Sequence, residues 1–312
     1  MKPIAAAAAQ KRKSPKNLNE NPKLLTNGVR SMFISTLAFF LANACVKQVS
    51  HIPAMEIVFF RCSIATTFCV IGLQRAKESL IGSNHLMLLL RGLFGTTALF
   101  CFFLTVQHIP FAPAQTIQYL SPIFTATIAI FLLKEPVRPA QWAFYAIAFS
   151  GVLLIQQFDS RISPFYLGLG IFSAFCSGMA YNLVRSMRGR EYPLTIVLHF
   201  QLTGAVVGLV SLLFQWEAPT GWDWMFLFMV GVLSQIGQIF LTNALQSEPV
   251  AGVAIVTYTG LVYALLVGWI IFGEMQGPMS IAGMLLVVLG VMLSVLYSRR
   301  QSRLAQIEAT AA

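Results

Sequence analysis

Ten apolar stretches, each close to the length of a bilayer-crossing helix, follow one another along the chain with short polar interruptions. They span roughly 29–46, 55–73, 86–106, 112–133, 140–157, 165–184, 194–214, 223–245, 250–272 and 281–297. A hydrocarbon core of about 30 Å takes about 20 helical residues. None of the runs shows the sustained alternation of a barrel wall, and in lipid only helices or closed barrels satisfy the backbone's own donors and acceptors. The pattern predicts an all-α integral membrane protein of ten transmembrane helices.

Composition agrees: 57% of the 312 residues are apolar and 10% are charged, against roughly 45–50% and about 25% in soluble proteins. Residues 1–28 are polar and basic after a short alanine run; they cannot bury a core and read as a disordered tail. An Ala-x-Ala pattern in "LANAC", 41–45, raises a cleaved signal peptide, but cleavage would remove one helix from a balanced set. The five cysteines, Cys45, Cys62, Cys69, Cys101 and Cys176, all lie in apolar runs without a C-x-x-C pair and read as small core residues.

Charge sets the expected orientation. With the N-terminus in the cytoplasm, seventeen of the basic residues fall on the inner side and only Lys47 and Arg161 on the outer, as the positive-inside rule requires. Arg91 then lies near the inner end of the third span, and Arg61 within the second. The expectation is a multi-pass protein of the cell (inner) membrane with both termini cytoplasmic. Its net charge of +10 follows from topology and anionic lipid, so no nucleic-acid partner is expected.

Sliding the sequence against itself at one fixed, gap-free offset pairs Pro110 with Pro249, Ala112 with Ala251, Tyr119 with Tyr258, Glu135 with Glu274, Pro139 with Pro278 and Gly151 with Gly290. Tyrosine, glutamate and proline are scarce enough here for these matches to indicate an internal repeat. Five spans per copy, 29–158 and 159–297, followed by a basic tail at 298–312, make an odd number. The second copy therefore enters the membrane from the opposite side, giving the inverted repeat of a transporter. Glu135 and Glu274 end their helices where an acid reaches headgroup water, and the proline that follows starts the next helix. They fall at opposite mouths, where each either stops a helix or serves as a gate.

"AQTIQYLSPIFTATIAIFLLKEPVRPAQWAFYAIAFSGVLLI" and its later counterpart resemble the two signature repeats of the EamA-type branch of the drug/metabolite transporter superfamily, through Ala114, Pro122, Glu135 and Gly151. "LRGLFG" at 90–95 is similar to the family's third helix. The resemblance covers roughly residues 30–297. It implies ten helices and secondary transport of small metabolites, commonly export, without implying a substrate. Leu261 stands where Pro122 would map, so a kink is expected in the fourth span, with Pro122 as its hinge, and not in the ninth.

Polar residues inside membrane helices usually face the bundle interior or a water-filled cavity. In the fourth span Gln115, Gln118, Tyr119 and Pro122 share one face; in the eighth, Gln235, Gln238 and Thr242 do, with Asn243 beside them. Tyr181, Asn182, His199, Gln201 and Tyr258 add to the set. Either they line a midplane cavity or they hydrogen-bond between packed helices. Arg61, roughly 9 Å below the outer end of its helix at 1.5 Å per residue, either snorkels, pairs with Glu56, or anchors a carboxylate or phosphate with its forked donors. Gly92, Gly95, Gly204 and Gly208 read as sites of close helix contact.

No Asp or Glu lies at the centre of a predicted span, which disfavours lipophilic cations as cargo and leaves His199 as the candidate proton carrier. Zincin, nucleophile-elbow and P-loop motifs are absent, and the four histidines are too scattered for a metal site, so neither an enzyme nor a cofactor is expected. The expected function is secondary active transport, by alternating access, of a small polar organic metabolite: amino acid-like, nucleoside-like or carboxylated. A passive channel or facilitator, or an intramembrane enzyme, stands as the alternative. The expected partners are the solute and the bilayer, with the chain a monomer or homodimer.

Overall fold

The computed structural model describes residues 27–132, 139–247 and 257–311. Among them the chain is helical, without strands: α1 (Asn27–Gln48), α2 (Ala54–Ala76), α3 (His85–His108), α4 (Phe111–Gln118), α5 (Ser121–Leu132), α6 (Pro139–Phe158), α7 (Pro164–Ser186), α8 (Pro193–Leu212), α9 (Asp223–Ser247), α10 (Gly260–Ile270) and α11 (Pro278–Ala311). Nine helices among the described residues are long and apolar enough to cross a membrane, counting α4 and α5 as one span, Phe111–Leu132; α10 is a shorter apolar helix. Prolines open α6, α7, α8 and α11, where a missing N–H costs nothing and the fixed φ suits a first turn. The last helix continues past the predicted span end at Tyr297 as far as Ala311. Glu135 lies outside the described residues.

The packing carries the two repeats. Its main pairs include α1 with α9, α3 with α7, α2 with α8, α6 with α11, α3 with α8 and α2 with α9, and α5 also packs on α7 more closely than its counterpart α10 packs on α1. Exchanging α1 with α7, α2 with α8, α3 with α9 and α6 with α11 maps the first six of these pairs onto themselves, as a pseudo-twofold relation requires. Glycines bring some of these backbones together. A Cβ on Gly151 would stand 2.6 Å from the Gly283 carbonyl, and one on Gly283 2.7 Å from the Gly151 carbonyl, so α6 and α11 touch main chain to main chain. Gly204 and Gly208 likewise press α8 against Cys62 and Phe59 of α2.

Large apolar side chains such as Leu153, Leu209, Val262 and Leu285 are exposed, as a lipid-facing surface requires. Trp216, Trp222 and Trp224 are also exposed, clustered by sequence at one end of the bundle where an aromatic belt belongs. At that end Lys47 Nζ lies 3.2 Å from Glu274 Oε1 and donates to the Ile109 carbonyl at 2.8 Å, while Glu274 Oε2 accepts the Phe111 N–H at 2.6 Å. Arg161 is paired with Asp159 and also donates to the Met275 carbonyl, so the α6–α7 and α10–α11 connections are tied together. At the opposite, arginine-rich end, Glu191 Oε1 accepts from the N–H and hydroxyl of Ser83 and from the N–H of Asn84, fastening the α7–α8 connection to the start of α3.

The fourth span breaks at Tyr119 and Leu120, just ahead of Pro122. Contrary to expectation, the ninth has a turn at Tyr258 and Thr259, the same register one repeat later. No proline is needed there: Thr257, Thr259 and Gly260 are all weak helix formers, and the Leu261 N–H bonds back to the Tyr258 carbonyl. The two breaks meet, with the Tyr119 and Tyr258 rings edge to face at 5.4 Å.

Candidate functional site

Between the repeats lies a cavity of about 210 Å³, lined from α1 to α5 and from α7 to α10 with the turn before it, and untouched by α6 and α11. Of the residues singled out from the sequence, Arg61, Gln115, Gln118, Tyr119, Pro122, Tyr181, Gln238 and Tyr258 line it. Asn43, Arg91, Ser177, Phe200 and Ser234 join them. The cavity also touches Met32, Leu241 and Leu245, which sit toward the arginine-rich end of their helices.

The other nominated residues are elsewhere. Asn182 is fully buried and donates to the carbonyls of Thr125 and Gly178, stitching α7 to α5. Gln235 donates to Cys69 Sγ and accepts from Gln201, joining α9 to α2 and α8. His199 Nδ1 faces the Thr195 carbonyl within its own helix, and Asn243 does not line the cavity. Glu274 lies at the tryptophan-rich end of the bundle, paired with Lys47.

Arg61 makes neither contact weighed against anchoring. It is 2% exposed, which removes snorkelling. Glu56 turns instead to the Glu217 N–H at 2.9 Å. Arg91, only 3% exposed, reaches the same cavity from the other direction. The two enter the bundle from opposite ends, each six or seven residues along its helix, or roughly 10 Å deep at 1.5 Å per residue.

Both guanidinium groups lie over one ring, that of Phe200, at 5.4 Å for Arg61 and 4.4 Å for Arg91. Their separation cannot exceed these two distances laid end to end. Neither enters an ion pair among the described residues. Arg61 Nη1 has a long contact to Cys62 Sγ at 3.8 Å, while Arg61 Nε and Arg91 Nε and Nη1 are buried without a partner among the described residues. Gln115 Nε2 and the Tyr258 hydroxyl are unpartnered among them too. No Asp, Glu, Lys or His among the described residues lines the cavity. Two positive charges this close repel by roughly 2 kcal/mol at an effective dielectric of about 20, and burying unpaired charge costs far more than attraction to a ring returns.

Gly95 makes this arrangement possible. A Cβ there would run into Arg91 Nη1 and would stand 2.7 Å from the Phe200 ring. The i, i+4 spacing of Arg91 and Gly95 is the sequence signal that Arg91 turns inward. Phe200 occupies the register that matches Arg61 one repeat later, so the second repeat supplies the platform for the first repeat's charges.

The family model of the EamA-like transporter family matches residues 25–157 and 164–296. The chain belongs to the EamA-like transporter family. The two matched segments begin at the same offset from one another as the internal repeat. Among its relatives, the chain is 31% identical over 268 residues to the pseudopaline exporter CntI of Pseudomonas aeruginosa, across 85% of this chain and 94% of that one. It is 29% identical to solute carrier family 35 member G1 of Homo sapiens, across 84% of this chain and 76% of that one. A Rickettsia prowazekii S-adenosylmethionine uptake transporter is 23% identical, across 91% and 97%. One solved crystal structure shares the fold at a TM-score of 0.64 and 16% identity, covering 88% of this chain and 98% of that one. As a member of this family the chain is a multi-pass membrane transporter.

Proposed function

We propose that the chain is a secondary active carrier that exports a small polar organic metabolite, with a carboxylated solute favoured over an amino acid-like or nucleoside-like one. The observation that carries the reading is the cavity lined by both repeats, with Lys47, Glu274 and the backbone of Ile109 and Phe111 tied together at one end of the bundle. Midplane sites between repeats, with discontinuous helices beside them, suit alternating access by rocking one half against the other. The breaks at Tyr119 and Tyr258 supply such helices.

The excess of basic residues supports an orientation with the arginine-rich end and both termini in the cytoplasm, and we read the membrane as the cell (inner) membrane. Loading then occurs from the cytoplasmic side, and the exporter among the relatives supports that direction. The walls bind and orient cargo through Gln115, Gln118, Gln238, Tyr119 and Tyr258, while the aromatic rings exclude water. Glu274 keeps its part as a gate at the outer mouth.

The test is reconstitution of the purified protein in liposomes with a panel of labelled metabolites, with and without a pH gradient. A carrier shows saturable flux and counterflow; a channel shows flux without counterflow, and an enzyme returns chemically altered solute. Folded, correctly oriented protein that moves none of the panel would refute the reading.

A further inference from the structure

We propose that Arg61 and Arg91 form one site for cargo bearing two negative charges, carried on carboxylates or on a phosphate monoester. This rests on the carrier reading and narrows its substrate class. The first support is charge balance. Two guanidinium groups that share the Phe200 ring have no acidic partner among the described residues, so the described wall of the cavity carries two positive charges without balancing negative ones. A short dicarboxylate spans two groups anywhere within the limit set by their distances to the ring, one phosphate held by both forks spans the shorter part of that range, and guanidinium geometry suits either partner.

The second support is the character of the unpartnered atoms. Arg61 Nε, Arg91 Nε and Nη1, Gln115 Nε2 and the Tyr258 hydroxyl are hydrogen-bond donors on residues that line one cavity. Buried donors are nearly always paired in folded proteins. A set of orphan donors with no carboxylate beside it calls for an acceptor-rich ligand, and the doubly positive wall repels a cationic one. Both arginines come from the first repeat, on α2 and α3, and the ring that shields them comes from α8. Rocking of the repeats thus changes how fully the charges are enclosed. Cargo that neutralises them relieves the cost of burying charge when the cavity closes.

The experiment uses the full chain in detergent and in liposomes. Thermal stabilisation and calorimetric affinity are measured with succinate, citrate and glycerol 3-phosphate, and with propionate, chloride and succinamide as lower-charge controls. At least one dianion or trianion should stabilise the wild type, more strongly than any control. Arg61→Gln and Arg91→Gln should each weaken that binding at least thirtyfold, with Arg61→Lys and Arg91→Lys recovering part of it. Size exclusion and wild-type melting without ligand verify folding, and the lysine variants carry the test if a glutamine variant fails to fold.

Stabilisation by dicarboxylates alone or by the phosphate ester alone selects between the two chemistries and supports the site in either case. The proposal is overturned if no multiply charged anion stabilises folded wild type, if chloride or succinamide does as well, or if the variants bind as tightly as wild type. Binding without counterflow would defeat the carrier reading and leave the site standing; counterflow of neutral solutes unaffected by either variant would do the reverse.

Discussion

Replacing Arg91 with methionine should make the empty transporter more stable, although the side chain is almost wholly buried. Relief of the repulsion from Arg61, which shares the Phe200 ring, contributes roughly 2 kcal/mol at an effective dielectric of about 20. Removing the two unpartnered donors, Nε and Nη1, restores about 1–3 kcal/mol for each group's lost hydration. Against this stands the lost contact with the Phe200 ring, about 1–2 kcal/mol, and some packing of the stem. Before the stem's packing is subtracted these contributions favour Arg91→Met by about 2–7 kcal/mol, and replacements of other buried charges by apolar residues give about 1–4 kcal/mol. Thermal unfolding in detergent, in buffer free of multivalent anions, should show a rise of a few degrees, since about 1 kcal/mol moves Tm by about 2–4 °C in proteins of about 150–250 residues. A stabilising dianion should raise the wild type and leave the variant unmoved. If Arg91→Met instead melts lower by more than about 1 kcal/mol without any anion, the guanidinium is a structural element and the charge argument fails.

Other consequences are open to measurement. Glu274→Gln removes the ion pair with Lys47 and weakens the bond from the Phe111 N–H; a loss of about 1–2 kcal/mol shifts that end about five- to thirtyfold toward opening, seen as faster labelling, by an impermeant thiol reagent added from that side, of a cysteine placed at Asn43 in the cavity wall. Glu191 is pulled upward by burial but held below the ordinary glutamate range by its bonds from Ser83 and Asn84, so its stabilisation is present above the unfolded-state pKa and lost as pH falls through the folded one. Glu191→Gln should therefore cost about 1–2 kcal/mol at neutral pH, with the gap from wild type closing below about pH 4; a gap that widens in acid contradicts the assignment. Gly151→Ala should lower Tm by the equivalent of about 1–3 kcal/mol through overpacking, because its methyl meets the Gly283 backbone, and an unchanged Tm would refute that contact.

The spans and the repeat are legible in the sequence because both are written in one dimension. Apolar length reports bilayer crossing, and a constant offset survives in Tyr119 and Tyr258, the two tyrosines that meet where the broken spans cross. The amide stripe on the fourth span leads to the cavity for the same reason, since helical periodicity puts Gln115, Gln118 and Tyr119 on one side. Arg91 counts to about the same depth as Arg61, yet depth alone does not tell whether its side chain runs back to the near membrane surface or turns inward. A long side chain reaches far from its Cα, and the space that admits it is made by Gly95 and by Phe200 from another helix. The turn at Tyr258 is hidden from a search for proline, where weak helix formers suffice. Asn43 and Asn182 occupy matching registers in the two repeats, yet only Asn43 lines the cavity. A pattern within one copy does not say how the other copy leans against it.

Alternating access itself is tested most directly by distances across both mouths. Spin-label pairs at Ser50 and Gly277 on the Lys47 end, and at Arg30 and Arg190 on the arginine-rich end, occupy exposed positions while the native cysteines are buried. Pulsed electron resonance on the reconstituted protein, with and without transported cargo, should give reciprocal changes: the Ser50–Gly277 distance lengthens in the population where Arg30–Arg190 shortens. If solute crosses the membrane while neither distance changes, or while both mouths open together, the two-repeat carrier mechanism is contradicted.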